Sequence, residues 1–459
     1  MSRIAFLHNA LGKTDGVSLE VDKWRAVLER MGHTVLYCAG NDDVAGVYCI
    51  PELSFHHPLT YKLLRNATVA LTDYPDGEAL RRDIEQAAAE LKQKLLQFIR
   101  REEVDVLIPN NLLSVGYHVP AVLALSEIIA ETKLPTIVHS HDFYFEDSGE
   151  VEPTCQAVWD ILDKYAPPRG ENVKNLVINR LAQRLLRQKK GISARVVPNV
   201  FDFKQKPWQA DEYNQDFRQT FGIKENDVVF LQATRILDRK GVESAIELIA
   251  ELNKPENRAK LLGKTLYNGR VFTADSRHIL LCAGYVESFG ISGNYYENLK
   301  AKAAEKGVDL RFIGSQIGHS RREAAEGKIY SLWDSYVYAD MVTYPSLWEG
   351  WGNQFIEAVF ARLPIIAFEY PVYGSDLKAV GFDIISLGDT VKGYDQRGLA
   401  VLPEAAVTKA AQEIITLLPD MAGRRQMTDR NYQLAEQNFS LERLEEIIRE
   451  IPSFFIEWL

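Results

Sequence analysis

Short apolar runs alternate with stretches of helical periodicity along the whole chain. In the first half, the runs at residues 4–8 and 34–38 have the length and apolar character of buried strands. Between them, apolar residues recur three or four positions apart, as on one face of an amphipathic helix: Val17, Val21, Trp24, Leu28 and Met31. The pattern then predicts helices at residues 77–101, 120–132 and 175–190, and strands at residues 104–109, 136–139 and 194–198.

The alternation stops at residues 199–222 and then starts again. Pro198, Pro207 and a polar mixture are typical of an inter-domain linker. Beyond it, the pattern predicts strands at residues 228–233, 279–283, 310–313, 341–344 and 365–368, helices at 241–252 and 353–362, and two helices that close the chain. Strands that alternate with helices form parallel, doubly wound sheets. We therefore predict an α/β protein with two Rossmann-like domains facing a cleft, at residues 1–205 and 206–436.

The composition excludes some classes of function and is consistent with the predicted fold. The 459 residues are 46% apolar and 25% charged, with a net charge of -10. This acidic balance argues against nucleic acid as a partner. The first residues are too polar for a signal peptide, and no apolar run is long enough to span a membrane. The four cysteines form no C-x-x-C pair. We expect a soluble, cytoplasmic protein with reduced thiols and no stable membrane insertion.

Two carboxylates lie at residues 345–364, where a loop joins a predicted strand to a predicted helix. Gly350 and Gly352 allow the backbone to turn sharply, and the amides at the start of the helix favour an anion. Glu349 lies in the loop and Glu357 eight residues later. Such a pair can hold two diols through charge-assisted hydrogen bonds, worth about 1.5–3 kcal/mol each. The same pattern also fits a loop charge followed by a solvated helix glutamate.

A second strand-to-helix loop, at residues 233–241, carries two cations. Arg235 offers a planar fork of donors and Lys240 a mobile point charge. They are placed where a diphosphate could be bound. A solvated basic loop is the alternative for a charge pair seen in isolation.

The first half adds a glycine turn and a pair of histidines. The turn at residues 12–16 contains Gly-Lys-Thr, but it lacks the earlier glycine of a P-loop, and it is not the Gly-x-Gly-x-x-Gly of a dehydrogenase. His139 and His141 point to the same face at the end of a predicted strand. Two ligands without a third favour buried structural histidines over a metal site. We therefore predict no metal.

Taken in order, these segments resemble the family-four retaining glycosyltransferases of GT-B fold. The run Pro-Ser-x-x-Glu-Gly-x-Gly-x-x-x-x-Glu-Ala from residue 345, followed by Leu-Pro-Ile-Ile-Ala, resembles their Glu-x7-Glu signature. Arg362 stands where the family usually has Gly. The loop at residues 233–241 resembles the family's Gly-Arg-x-x-x-x-Lys-Gly, with Thr234 for the first Gly. The turn at residues 12–16 resembles its Gly-Gly turn, with Asp15 for the first Gly. The tail, residues 437–459, resembles a last helix that packs back on the first domain.

The resemblance implies a hexosyl transfer from a nucleotide-sugar with retention of configuration. In this chain Arg235 and Lys240 would bind the pyrophosphate, and Glu349 the sugar hydroxyls. His141, or His139 as the alternative, would lie near the reactive face of the sugar. The implied catalytic set is His141, Arg235, Lys240 and Glu349. The implied donor-binding set is Gly16, Arg235, Lys240, Gly314, Glu349, Gly350, Gly352, Asn353, Gln354 and Glu357, with Glu357 on the ribose.

The substrates implied by the resemblance are UDP-glucose or GDP-mannose as donor, and a small anionic acceptor. The acceptor would be a sugar phosphate, as in sucrose-phosphate synthases, or an acidic solute, as in mannosylglucosylglycerate synthases. Arg180 and Arg184 on a basic helix, with His139, are candidate acceptor residues, although these charges also fit a solvated face. No cofactor is expected.

Two alternatives remain open. An NAD-dependent oxidoreductase would also have two α/β domains, but its glycine fingerprint is missing. A non-catalytic nucleotide-sugar binder would not need all four of Glu349, Glu357, Arg235 and Lys240.

Overall fold

The computed structural model describes residues 1–12, 16–43, 45–146, 151–286, 294–324 and 327–451. The contacts divide the chain into two units. The N-terminal unit consists of Met1–Asp202 together with the chain from Phe439 onward, and the C-terminal unit consists of Phe203–Asn438. None of the helices in the described part is both long and apolar enough to cross a membrane.

One seven-stranded parallel sheet forms the centre of the N-terminal unit. Its strands are β1 (Arg3–His8), β2 (Thr34–Ala39), β3 (Val47–Cys49), β4 (Val106–Pro109), β5 (Thr136–Ser140), β6 (Val173–Val177) and β7 (Ala194–Val196). Their order in the sheet is 3-2-1-4-5-6-7. The helices that connect them are α1 (Gly16–Arg30), α2 (Pro58–Thr68), α3 (Gly77–Arg101), α4 (Val119–Thr132), α5 (Gln156–Tyr165) and α6 (Arg180–Lys190).

Strand β1 shows why this sheet forms. Successive residues of a strand point to opposite faces. Ala5 and Leu7 accordingly pack into one apolar cluster, and Ile4 and Phe6 into another. A strand buried on both faces appears in the sequence as a continuous apolar run, as in doubly wound folds.

The C-terminal unit repeats the same plan. Its strands are β8 (Val228–Gln232), β9 (His278–Cys282), β10 (Asp309–Phe312), β11 (Ile317–Gly318), β12 (Arg322–Ala324), β13 (Gly327–Ser331), β14 (Met341–Tyr344), β15 (Ile365–Ala367), β16 (Ile385–Ser386), β17 (Gly393–Tyr394) and β18 (Ala400–Val401). The main parallel sheet has the order β10-β9-β8-β14-β15-β16. Counted along this sheet, the order is 3-2-1-4-5-6, as in Rossmann folds. The remaining strands form two small sheets, β11-β13-β12 and β17-β18.

Eight helices of the described residues belong to the C-terminal unit, and one more follows. They are α7 (Phe217–Thr220), α8 (Val242–Leu252), α9 (Pro255–Leu261), α10 (Tyr295–Lys306), α11 (Leu332–Val337), α12 (Asn353–Phe360), α13 (Glu404–Leu417), α14 (Met421–Phe439) and finally α15 (Leu441–Arg449). Helix α15 packs on α1 of the N-terminal unit, where Leu444 and Ile448 share an apolar cluster with Trp24. Arg30 of α1 also pairs with Glu445 at 2.8 Å.

Three predicted elements differ from the structure. The helix predicted at residues 175–190 is wrong at its start, because residues 173–177 form the buried strand β6 between β5 and β7. The helix begins at Arg180, where the Asn179 side chain accepts a hydrogen bond from Ala182 N at 2.7 Å and caps it. Three helices, α13 to α15, stand near the end of the chain instead of two. The predicted linker contains α7, whose Phe217 is fully buried.

Candidate active site

Both sheets reverse their strand order beside their first strand. In the C-terminal unit, β9 lies on one side of β8 and β14 on the other. The chain therefore continues to opposite sides of the sheet after β8 and after β14. The loops that follow these two strands lie next to each other at the carboxyl end of the sheet, which is where open α/β sheets bind ligands. Arg235 and Lys240 lie in the first of these loops, the β8 loop (residues 233–241). Glu349 lies in the second, the β14 loop (residues 345–352).

A buried ion pair joins the two loops. Lys240 Nζ donates a hydrogen bond to Glu349 Oε1, and the two residues are only 4% and 7% exposed. Arg239 Nη1 lies 3.4 Å from Glu349 Oε2 and donates to the Trp348 carbonyl at 3.1 Å. Arg239 was not among the predicted residues, because its contact with Glu349 joins positions 110 residues apart in the chain. The Glu349 carboxylate is thus held between two cations.

Burial and charge act in opposite directions on the pKa values of this pair. Burial lowers the pKa of the Lys240 ammonium to about 8, although the Glu349 carboxylate favours its charged form. Burial alone would raise the pKa of Glu349, but Lys240 and Arg239 hold it below its usual value. The loops therefore present a carboxylate that remains ionised and a lysine that is mainly protonated at neutral pH but loses its proton as the pH rises through about 8.

Glycines bring four neighbouring loops into contact at this end of the sheet. An added Cβ at Gly241 would lie 2.3 Å from the Pro345 carbonyl oxygen, so the β8 and β14 loops touch there. A Cβ at Gly284, after β9, would lie 1.9 Å from the Thr234 carbonyl oxygen. A Cβ at Gly314, after β10, would lie 2.4 Å from the Gly284 carbonyl oxygen. The predicted donor residue Gly314 therefore belongs to the same packed group of loops.

The β14 loop ends at a constrained glycine. Gly352 has a φ of +127°, and an added Cβ would lie 2.3 Å from Tyr370 Oη. That hydroxyl donates to the Trp351 carbonyl at 2.7 Å. These contacts fix the backbone conformation just before α12 begins. The other predicted residues of this turn are partly exposed: Gly350, Asn353 and Gln354.

Glu357 lies in the second turn of α12 and faces inward. It is 9% exposed, and it accepts a hydrogen bond from Tyr336 Oη at 2.9 Å. The alternative of a solvated helix glutamate is therefore wrong. Tyr336 is a further residue that the sequence did not indicate, because it reaches Glu357 from the separate helix α11.

In the N-terminal unit, histidines gather at the carboxyl ends of β1 and β5. The rings of His139 and His141 lie 4.7 Å apart. Asn110 connects them to β1: its side chain bonds to His139 Nδ1 at 3.2 Å, and its carbonyl bonds to His8 Nδ1 at 2.8 Å. Burial lowers the pKa of His139 to about 3 and that of His141 well below its usual value. Both rings are therefore neutral at physiological pH.

These histidines keep unused hydrogen-bonding capacity. Within the described residues, His139 Nε2 and His141 Nε2 are buried and have no hydrogen-bond partner. No group of three or more His, Cys, Asp or Glu in the described part of the chain is arranged to hold a metal ion. The pair is thus suited to accept or donate a hydrogen bond to a bound polar molecule.

Asn111 fixes the backbone that carries His141. It has a left-handed φ of +55°, and its Oδ1 accepts hydrogen bonds from the amides of His141 and Asp142 at 3.0 and 3.1 Å. Its Nδ2 donates to the Asp142 carboxylate at 3.1 Å. Asn111 was not among the predicted residues, because its role depends on a contact between the loops after β4 and β5.

The remaining predicted residues lie on α1 and α6 of the N-terminal unit. Gly16 begins α1, whereas Asp15 lies outside the described residues. Arg180 begins α6, and Arg184 follows one turn later; both are exposed. Lys190 at the end of the same helix is buried instead and pairs with Asp163 at 2.8 Å.

Comparison with known proteins identifies the family. The model of the family "Glycosyl transferases group 1" matches residues 214–433. A mannosylglucosylglycerate synthase of Petrotoga mobilis is 36% identical, over 96% of this chain and 98% of its own. A protein of the same name from Thermotoga maritima is 35% identical, over 98% and 99%.

A solved structure shares the fold of this chain. A sucrose-phosphate synthase from Thermosynechococcus elongatus superposes with a TM-score of 0.60 and 14% identity, over 100% of both chains. The expected α/β fold with two Rossmann-like sheets is thereby confirmed. The chain belongs to the group 1 glycosyl transferases, the family-four glycosyltransferases of GT-B fold.

Proposed function

We propose that this glycosyltransferase transfers a mannosyl group from GDP-mannose to a hydroxyl of glucosylglycerate, with retention of configuration. The near full-length similarity to two mannosylglucosylglycerate synthases carries the choice of sugar and acceptor. The product in their name contains a mannosyl group, a glucosyl group and a carboxylate. Glucosylglycerate is a small anionic molecule, as expected of the acceptor from the sequence.

The C-terminal unit would bind the donor at the β8 and β14 loops. Glycosyl transfer passes through an oxocarbenium-like transition state while negative charge builds on the departing diphosphate. Arg235 and Lys240 would stabilise this charge as it develops. The Lys240 ammonium is already held in place by its hydrogen bond to Glu349. The ionised Glu349 would accept hydrogen bonds from the sugar hydroxyls, and Glu357 would bind the ribose.

The proton of the acceptor hydroxyl would pass to the leaving phosphate on the same face of the sugar. This route needs no nucleophile from the protein and preserves the configuration. His141 is the candidate in the N-terminal unit for a hydrogen bond to a sugar hydroxyl, since its ring is neutral and its Nε2 is unused in the described structure. We propose that neither a metal nor another cofactor takes part.

We expect kcat/KM to fall as the pH rises through about 8. Lys240 has a pKa lowered to about 8, so its cationic form is lost above that pH, and with it the charge that binds the diphosphate. Initial rates at constant ionic strength over about pH 6–10 would show this alkaline limb. In a Lys240→Arg variant the guanidinium does not titrate, so the limb should disappear even if the rate is lower. A limb that persists at the same pH in this variant would mean that another group titrates.

A matrix of donors and acceptors tests the proposed function directly. GDP-mannose and UDP-glucose are each incubated with glucosylglycerate and with a hexose phosphate, and the products are detected by mass spectrometry. We expect a mannosylated glucosylglycerate as the main product, and NMR should show the anomeric configuration of the donor. An inverted product would contradict the mechanism. Transfer from UDP-glucose alone would contradict the donor, and nucleotide binding without any turnover would favour the non-catalytic alternative.

A further inference from the structure

A cavity of about 610 Å³ opens on the C-terminal unit, away from the β8 and β14 loops. Its lining includes three arginines, Arg362, Arg424 and Arg425, and a single acidic residue, Asp429. The aromatic ring of Tyr267 forms part of its wall. The surface is therefore positively charged, although the whole chain is acidic.

Hydrogen bonds place this cavity at the amino end of the main sheet. Tyr267 Oη donates to Asp340 Oδ1 at 2.8 Å, and Asp340 directly precedes β14. The other carboxylate oxygen of Asp340 accepts from the amide of Val229, near the start of β8, at 2.8 Å. The β8 and β14 loops leave the opposite ends of the same two strands. The cavity is thus distinct from the proposed donor site.

Arg424 is a buried cation that forms no ion pair with the carboxylates of the described residues. It is 6% exposed, and its guanidinium lies 3.7 Å from the centroid of the Tyr267 ring. Its Nη1 is buried and has no hydrogen-bond partner among the described residues. Burial lowers the pKa of Arg424, and the nearby Asp340 carboxylate offsets this only in part, because Arg270 already pairs with Asp340. Burying a charge is unfavourable unless it is paired, so an anion in the cavity would offset this cost.

The two other arginines share one carboxylate. Arg362 Nη1 bonds to Asp429 Oδ1, and Arg425 Nε lies 3.5 Å from Asp429 Oδ2. Asp429 cannot neutralise both, so positive charge remains at the rim. Arg362 also has a left-handed φ of +54°, a conformation that favours glycine, and its guanidinium stacks on Tyr432 with 4.0 Å to the ring centroid. The residue that departs from the family's glycine thus places a cation on the cavity.

The start of α14 does not supply the anion contacts itself. The Asp420 carboxylate already accepts a hydrogen bond from the amide of Gly423 at 2.9 Å. Recognition therefore depends on the guanidinium groups. Arginine forms bidentate, charge-assisted hydrogen bonds with phosphate, and a cavity of this volume is in the range of small-molecule sites.

We propose that this cavity binds the phosphate group of a small metabolite at a second site, separate from the nucleotide-sugar site. Arg424 forms the inner contact, and Arg362 and Arg425 form the rim. The volume exceeds that of inorganic phosphate, so a phosphate monoester is the better ligand.

Isothermal titration of the full chain with inorganic phosphate and with glycerol 3-phosphate tests the proposal. We expect one saturable site, with tighter binding of the monoester. The Arg424→Gln variant should weaken binding at least tenfold. The double variant Arg362→Gln/Arg425→Gln changes only exposed rim residues, so it should fold normally and weaken binding about threefold to tenfold. An Arg82→Gln control removes an exposed arginine from α3 and should leave binding unchanged.

A Lys240→Ala variant separates the two sites. Phosphate should still bind to it if the cavity is the site. The proposal is overturned if the unmodified protein binds neither probe, or if the rim double variant binds as tightly as the unmodified protein. It is also overturned if binding is lost in Lys240→Ala and kept in Arg424→Gln, since the anion would then occupy the β8 loop. These outcomes do not depend on whether mannosyl transfer occurs.

Discussion

Replacing Lys240 with methionine should lower kcat by a factor of about 10²–10³, the loss typical when one donor to developing negative charge is removed. The same change should lower the free energy of unfolding by about 3 kcal/mol, because the buried Glu349 carboxylate loses the lysine to which it is bonded. Glu349 and Lys240 are both almost fully buried and bonded to each other. Arg239 still lies 3.4 Å from Glu349 in the variant, which keeps the stability loss at the lower end of the range for broken buried pairs.

A second substitution should separate stability from catalysis. In the double variant Lys240→Met/Glu349→Gln, no buried carboxylate is left without its lysine, so most of the lost stability should return. The kcat should stay low, because the variant lacks both the lysine proposed to contact the diphosphate and the carboxylate proposed to contact the sugar. Urea unfolding gives the stabilities, and single-turnover rates with a saturating donor give the chemical step.

The chain offers a matched control for this experiment. Lys302 is also a buried lysine, and it pairs with Glu247 at 2.8 Å in the same unit. Lys302→Met should also lower the stability, although by less, because Glu247 is partly exposed and keeps its pair with Lys306 at 3.1 Å. It should leave kcat within about twofold, because α10 lies outside the β8 and β14 loops. If both methionine variants lose the same rate, the loss at Lys240 reflects stability alone. A Lys240→Met enzyme with normal kcat would remove Lys240 from the site.

Strands were predicted well where burial is complete on both faces. The residues of β8 and β14 are all buried, so each appears as a mainly apolar run, with Gln232 and Thr343 as the polar exceptions. Residues 175–177 of strand β6 were assigned to a helix because Leu176 and Val177 also fit the apolar spacing of the helix that follows. Only pairing with β5 and β7 makes this segment a strand, and pairing between distant segments is not visible in a local pattern.

The candidate site could likewise be predicted only where its features are local in the sequence. The spacing of Glu349 and Glu357 and the cations of the β8 loop are local features, so the sequence contained them. The bond between Lys240 and Glu349 joins positions 109 residues apart, and it exists because β8 and β14 are neighbours in the sheet. The burial of Arg424 could not be predicted from the sequence, since a charged residue on a helix is usually solvated. Its burial results from packing against Tyr267.

Replacing Gly284 with alanine should destroy the packed group of loops and lower the free energy of unfolding by about 3 kcal/mol or more, as expected for severe overpacking. The added Cβ would lie 1.9 Å from the Thr234 carbonyl oxygen and 2.8 Å from the Arg235 amide nitrogen. Both atoms belong to the backbone of the β8 loop, so no side chain can rotate away to make room. Arg235 and Lys240 would then be displaced together.

Gly374→Ala is the matched control for Gly284→Ala. Gly374 lies in the helical turn Tyr373–Leu377, and nothing lies within 4 Å of an added Cβ. Alanine should therefore leave stability unchanged or raise it by up to about 1 kcal/mol. Titration with GDP should show at least tenfold weaker binding for Gly284→Ala and unchanged binding for Gly374→Ala. If Gly284→Ala kept normal affinity and stability, the loops would have to relax without cost, and the close packing that holds Arg235 and Lys240 would not be what positions them.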